Sequence, residues 1–116
     1  HELVQVKPGR SPEFLEHVRD TAIAAHAPHG MQLVGAFETA MRNDSECLVI
    51  WAIENWSAWA AYERKQRSDE GLLTWRSAIR DVAIDWQRTL LVEAEFSPMR
   101  IGRQPEIGDR RKLEDV

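Results

Sequence analysis

Four short apolar runs, at residues 1–6, 32–39, 46–53 and 90–96, alternate with two stretches of helical periodicity, in an order that reads β-α-β-β-α-β. This order limits the fold more than any other feature of the chain. Two helices returning over a four-stranded antiparallel sheet cover one face and leave the other bare. The strand residues assigned to that bare face are largely apolar, Leu48, Ile50 and Ala52 among them. Apolar surface of this kind needs a cover, and the simplest cover is a second copy of the chain. The expectation is an α+β domain that pairs through its sheet into a homodimer.

Local signals place the elements. The first strand covers His1 to Val6 and ends at Lys7-Pro8-Gly9-Arg10, because Pro8 lacks an N–H and Gly9 permits a turn. The first residue is His rather than Met, so this strand is expected to start upstream of it. Ser11 is the expected N-cap of a first helix, with Pro12 at its first position and Glu13 near the positive end of the dipole. Leu15, Val18, Ala22 and Ala25 give that helix one apolar stripe to about Ala27, and Pro28 and Gly30 stop it. The second strand spans about Met31 to Ala40, with Leu33, Gly35 and Phe37 on one face and Val34 and Ala36 on the other. Gly35 suggests a bulge or a close backbone approach.

Arg42-Asn43-Asp44-Ser45 is hairpin material. The third strand, Glu46 to Glu54, is apolar on both faces, with Cys47, Val49, Trp51 and Ile53 on one of them. Asn55 or Ser57 opens a helix that fades into Arg64-Lys65-Gln66-Arg67, and Ser68-Asp69-Glu70-Gly71 caps a further segment. There Leu72, Trp75, Ile79, Val82 and Trp86 recur at helical spacing. The fourth strand is expected at Leu90 to Phe96. The domain is therefore assigned to residues 1–98, with a polar tail at 99–116.

Composition excludes several classes of function. The chain has 116 residues, one domain's worth, and its net charge of −4 disfavours a nucleic-acid backbone binder. Its single cysteine, Cys47, cannot form an internal disulfide and suits a small buried strand residue. No apolar run approaches the roughly 18 residues of a membrane span, so neither nucleic acid nor membrane is an expected partner, and the default setting is the cytoplasm.

Several of these segments resemble the NIPSNAP family. Val6-Lys7-Pro8-Gly9 with Pro12-Glu13-Phe14-Leu15 is similar to its strand-to-helix opening, and Gly30-Met31-Gln32-Leu33-Val34-Gly35-Ala36-Phe37 to its second strand. Leu48-Val49-Ile50-Trp51 followed by Asn55-Trp56-Ser57-Ala58 resembles its third strand and the following helix start. Trp75 stands where the family places a Trp after an acidic break, and Phe96-Ser97-Pro98 resembles its closing strand. The similarity spans about residues 4–98. It implies a ferredoxin-like βαββαβ unit that pairs into a dimeric α/β barrel. The family has no shared catalytic motif. Related dimeric barrels include cofactor-free monooxygenases of aromatic polyketides, small isomerases and haem-binding members.

Candidate chemistry centres on the aromatic residues, five of them Trp. Trp51, Trp59, Tyr62 and Trp75 either form a filled aromatic core or line a flat apolar pocket for an aromatic small molecule between sheet and helices. In the pocket reading no cofactor is called for, and Tyr62, Glu54 or Glu38 could supply a proton-handling group to a monooxygenase or isomerase acting on an aromatic or lactone-like metabolite. A non-catalytic structural dimer is the alternative. His26 and His29 have the spacing of two metal ligands, but no nearby acid or Cys completes a set, and with His17 they are also the available axial ligands for a haem. Glu93 and Glu95 share a predicted strand face, where a solvated pair or an intersubunit contact with Arg is the plainer reading than acid–base work. The Arg64–Arg67 run reads as a solvated helix end or a contact for an anionic ligand.

Overall fold

The computed structural model describes residues 1–109, so the expected tail residues Arg110-Arg111-Lys112, Glu114 and Asp115 lie outside the described residues. Strand β1 (Glu2–Val6) leads into α1 (Ser11–His17), a π-helical turn at Val18–Ala22 and α2 (Ile23–His26). A 3-10 turn at Ala27–His29 closes this helical stretch at Gly30, whose φ of 75° is the left-handed conformation that glycine adopts cheaply after a helix. Strands β2 (Met31–Glu38) and β3 (Glu46–Ile53) follow, joined by a turn in which Asn43 and Asp44 are left-handed. Next come α3 (Trp56–Lys65), α4 (Glu70–Ile79), β4 (Ala83–Arg88) and the short α5 (Pro98–Ile101).

The sheet order is β2-β3-β1-β4, and every neighbouring pair is antiparallel. This is the ferredoxin-like α+β arrangement, with the first and third strands at the centre. Val4, Val6, Cys47 and Val49 point from those central strands to a core that also buries Phe14, Val18, Leu72, Ile79 and Val82 from the helical side. Asn55 caps α3 by accepting from the Ala58 N–H at 2.8 Å, and Asp69 caps α4 by accepting from the Leu72 N–H at 3.1 Å.

Three expectations need correction. The fourth strand is Ala83–Arg88, and residues 90–96 form no strand, with Leu90, Leu91, Val92 and Phe96 exposed. The reason is pairing: the chain reverses at Ile79–Val82, where Val82 N donates to Ile79 O at 3.0 Å, and the segment leaving this turn lies at once against β1, Ala83 facing Val6 and Arg88 facing Glu2. Trp86 accordingly sits on a strand opposite Val4 rather than on a helix. Its helical spacing from Val82 arises because the chain reverses after Ile79 and returns to the same core. Glu93 and Glu95 consequently share no strand face.

The second correction concerns β2. Its register against β3 shifts between Leu33 and Gly35. Leu33 faces Trp51 on the helix side, whereas Gly35 and Phe37 face Ile50 and Leu48 on the outer side. A bulge of one residue exchanges the two faces of everything after it, so simple alternation fails there. The bulge expected at Gly35 is therefore present, and the atoms nearest to a Cβ at that position belong to the Phe37 ring, 2.6 Å away, rather than to backbone.

The third is Ser11, which is the first residue of α1 rather than its cap, the capping position being held by Arg10. Its N–H donates to Asp44 O at 3.0 Å and its carbonyl accepts from Cys47 Sγ at 3.9 Å, which draws the residue into the core. Among the described residues, the buried Ser11 hydroxyl has no hydrogen-bond partner.

Candidate functional site

Residues on the helix side of the sheet build two adjoining aromatic groups. The first is organised by Glu2, which alternates with Val4 and Val6 and therefore points into the core, only 4% exposed. Its carboxylate accepts from Trp51 Nε1 at 2.8 Å, Trp86 Nε1 at 2.7 Å and Arg88 Nη2 at 3.0 Å. A buried carboxylate is tolerable only with such a full set of donors. Arg88 reaches on to Glu63 at 3.2 Å and lies 5.7 Å from the ring centres of both Trp59 and Tyr62.

His26 is buried in the same group and stacks on Trp51, with ring centres 4.4 Å apart. Its Nδ1 lies 2.7 Å from Ala22 O, so Nδ1 donates and Nε2 is left as the acceptor for the Tyr62 hydroxyl, 3.3 Å away. Burial lowers the pKa of His26 below its ordinary value, against the smaller raising effect of the Ala22 carbonyl. Burial likewise pushes the Tyr62 hydroxyl up to about 12. At neutral pH the pair is a phenol donating to a neutral imidazole.

The second group borders a cavity of about 580 Å³ between α3, α4 and β4. Leu72, Trp75, Ile79, Ala83 and Trp86 form its apolar wall. The Trp75 and Trp86 rings meet edge to face, with centres 6.2 Å apart, and form an aromatic corner in that wall. Tyr62, Gln66, Arg76, Arg80 and Arg88 supply its polar side. Gln66 donates to Glu63 Oε1 at 2.7 Å and accepts from Arg76 Nη2, so the expected solvated run at 64–67 turns its third residue inward.

The predicted site residues separate accordingly. Tyr62 and Trp75 line the cavity, whereas Trp51 lies behind it against His26 and Glu2. Trp59 touches it only through Arg88 and Tyr62. Glu54 and Glu38 are exposed away from the cavity, and a hydrogen bond shared with Asp44 in the β2–β3 region raises the Glu38 pKa. His29 Nε2 sits 3.4 Å from the Asp69 carboxylate and His17 Nε2 3.9 Å from Glu13, so the three histidines face different partners. Among the described residues no group of three or more His, Cys, Asp or Glu side chains could hold a metal ion. No described helix is long and apolar enough to cross a membrane.

Glu2 and the three arginines were not anticipated, and Trp86, counted among the aromatic candidates, was expected on a helix face rather than on a strand. Period-two alternation in β1 marks Glu2 as inward-facing, and Arg76 and Arg80 are one helical turn apart beside the apolar stripe of α4.

The family model described as NIPSNAP matches residues 3–98. A NIPSNAP family protein of unknown function from Agrobacterium tumefaciens is 27% identical, with a TM-score of 0.70 over 84% of this chain and 87% of that one. An uncharacterized NIPSNAP domain protein from Burkholderia xenovorans is 21% identical, with a TM-score of 0.69 over 84% of this chain and 94% of that one, a likeness of fold. No curated protein matches the chain.

Proposed function

The chain belongs to the NIPSNAP family, and on that premise we propose that it binds a small molecule with an apolar, aromatic body in the cavity between α3, α4 and β4. The observation that carries this reading is the cavity itself. Its volume of about 580 Å³ falls within the range of sites that enclose an organic ligand, and Trp75 and Trp86 give it an aromatic corner. Titration with a panel of bicyclic and tricyclic aromatics is expected to quench tryptophan fluorescence saturably. No change across the panel overturns the reading.

The working unit we propose is a homodimer in which a second copy covers the outer sheet face, in the manner of a dimeric α/β barrel. Leu3, Leu48, Ile50 and Phe37 lie on that face, and Phe37 is 51% exposed in the single chain. The exposed Leu90, Leu91 and Val92 add apolar surface that a partner would cover. The domain is taken as residues 1–98 with a tail from 99, acting in the cytoplasm, where the free Cys47 stays reduced. Sedimentation at micromolar concentration is expected to give the mass of two chains.

One observation favours a second reading, a cofactor-independent monooxygenase or isomerase acting on an aromatic or lactone-like metabolite. The Tyr62 hydroxyl is at the cavity wall and points its proton at His26 Nε2. A substrate proton passed to the Tyr62 oxygen, as the Tyr62 proton moves to His26, would leave a substrate anion beside Arg88. Tyr62→Phe abolishes turnover in this reading and leaves binding near its original strength in the first.

A further inference from the structure

We infer that the ligand of this cavity is an organic anion, an aromatic body carrying a carboxylate or phosphate head held by Arg76 and Arg80. This inference rests on the pocket reading above and adds the charge of the ligand to it.

The argument is one of charge balance. Three guanidinium groups line a single cavity in a chain whose net charge is −4. Arg88 is opposed by two carboxylates, Glu2 at 3.0 Å and Glu63 at 3.2 Å, so the three guanidinium groups outnumber the carboxylates beside them by one. Arg76 bonds to Gln66, which is an amide and carries no charge. The Arg80 side chain makes no hydrogen bond or ion pair with any described residue. The Glu63 carboxylate, the nearest acidic group on α3, is engaged by Arg88 and Gln66. The Arg76 and Arg80 guanidinium groups, one helical turn apart, thus face the same cavity with no carboxylate among the described residues paired to either.

Like charges at this spacing repel, so an anion bound between them relieves that repulsion. The guanidinium fork matches the paired oxygens of a carboxylate or phosphate. The Trp75 and Trp86 rings line the same cavity and would take the ring system. The same protein groups therefore dictate an amphipathic ligand, with an acidic head toward α4's exposed side and a flat body toward β4.

Isothermal titration calorimetry with matched probes tests the inference: naphthoate, naphthyl phosphate, naphthalenemethanol and naphthylmethylamine share the ring body and differ in head group. One of the two acids is expected to bind about tenfold or more tightly than the alcohol, the size of a charge-assisted hydrogen bond. The amine is expected to bind weakest. The preference between the acids identifies a planar or a tetrahedral head, and either supports the inference. Arg80→Gln is expected to weaken the preferred acid about three- to tenfold and leave the alcohol unchanged, with Arg76→Gln as the second variant. Raising the salt concentration should narrow the gap between acid and alcohol. If the alcohol binds as tightly as both acids, the charge assignment is overturned while the pocket stands. If no probe binds, both are overturned.

Discussion

The two aromatic groups on the helix side of the sheet are built from similar side chains and finished differently. Around His26 the polar ends are satisfied within the chain: Trp51 on Glu2, His26 on Ala22 and Tyr62, Arg88 on Glu2 and Glu63. Around Trp75 the rings border open space, and Arg76 and Arg80 face it without an opposing carboxylate among the described residues. The contrast teaches that aromatic density alone does not mark a binding site. What separates a core from a pocket is whether the polar groups at its edge already have partners.

The largest effect that would break this division comes from Glu2, which supports both groups. Glu2→Leu strands the N–H groups of Trp51 and Trp86 and leaves Arg88 with Glu63 alone, and is expected to cost about 3–5 kcal/mol in urea unfolding. A cost near that of a surface substitution would mean that the carboxylate does not organise the core.

A paired comparison sharpens the division next. Trp75→Leu should abolish binding of an aromatic acid such as naphthoate, whereas Trp51→Phe, which retains the stack on His26, should keep its affinity within about twofold while lowering stability by about 1–3 kcal/mol through the orphaned Glu2 oxygen. Equal loss of binding in both would merge the two groups into one site. Stability should also respond to pH through His26. Its folded pKa lies below the ordinary 6.5, so between those values the unfolded chain binds more protons and stability falls as pH drops. His26→Asn keeps a donor toward Ala22 O and should flatten the slope of unfolding free energy below about pH 6.5. An unchanged slope would assign the acid sensitivity elsewhere.

The smallest expected effect is at the bulge. Gly35→Ala brings a methyl against Phe37 Cε2 and Cζ, the far end of an exposed ring that can rotate away. A cost under about 1 kcal/mol is expected in the isolated chain. A larger cost at dimer-forming concentration would indicate that a partner holds the Phe37 ring in place.

Much of the architecture was legible because its signals are local. Asn55 and Asp69 cap the helices as their side-chain chemistry suggests, and Leu72, Trp75 and Ile79 share a buried stripe because backbone geometry sets their period. The site was legible only in part. Tyr62 and Trp75 were found through aromatic spacing, while Trp86 was taken for a helical residue because its offset from Val82 happens to continue the stripe. Leu90–Phe96 has the composition of a strand, yet it is Ala83–Arg88, directly after the chain reversal, that pairs with β1.

The order of residues along the chain thus determined the element types, their sequence and the apolar character of both sheet faces, since each depends on neighbours a few positions apart. The tertiary structure alone decided the strand register, the side to which Phe37 turns and the meeting of Glu2 with Trp51, Trp86 and Arg88. Those contacts join residues separated by as many as 86 positions, and they exist only once the chain reversals have been made.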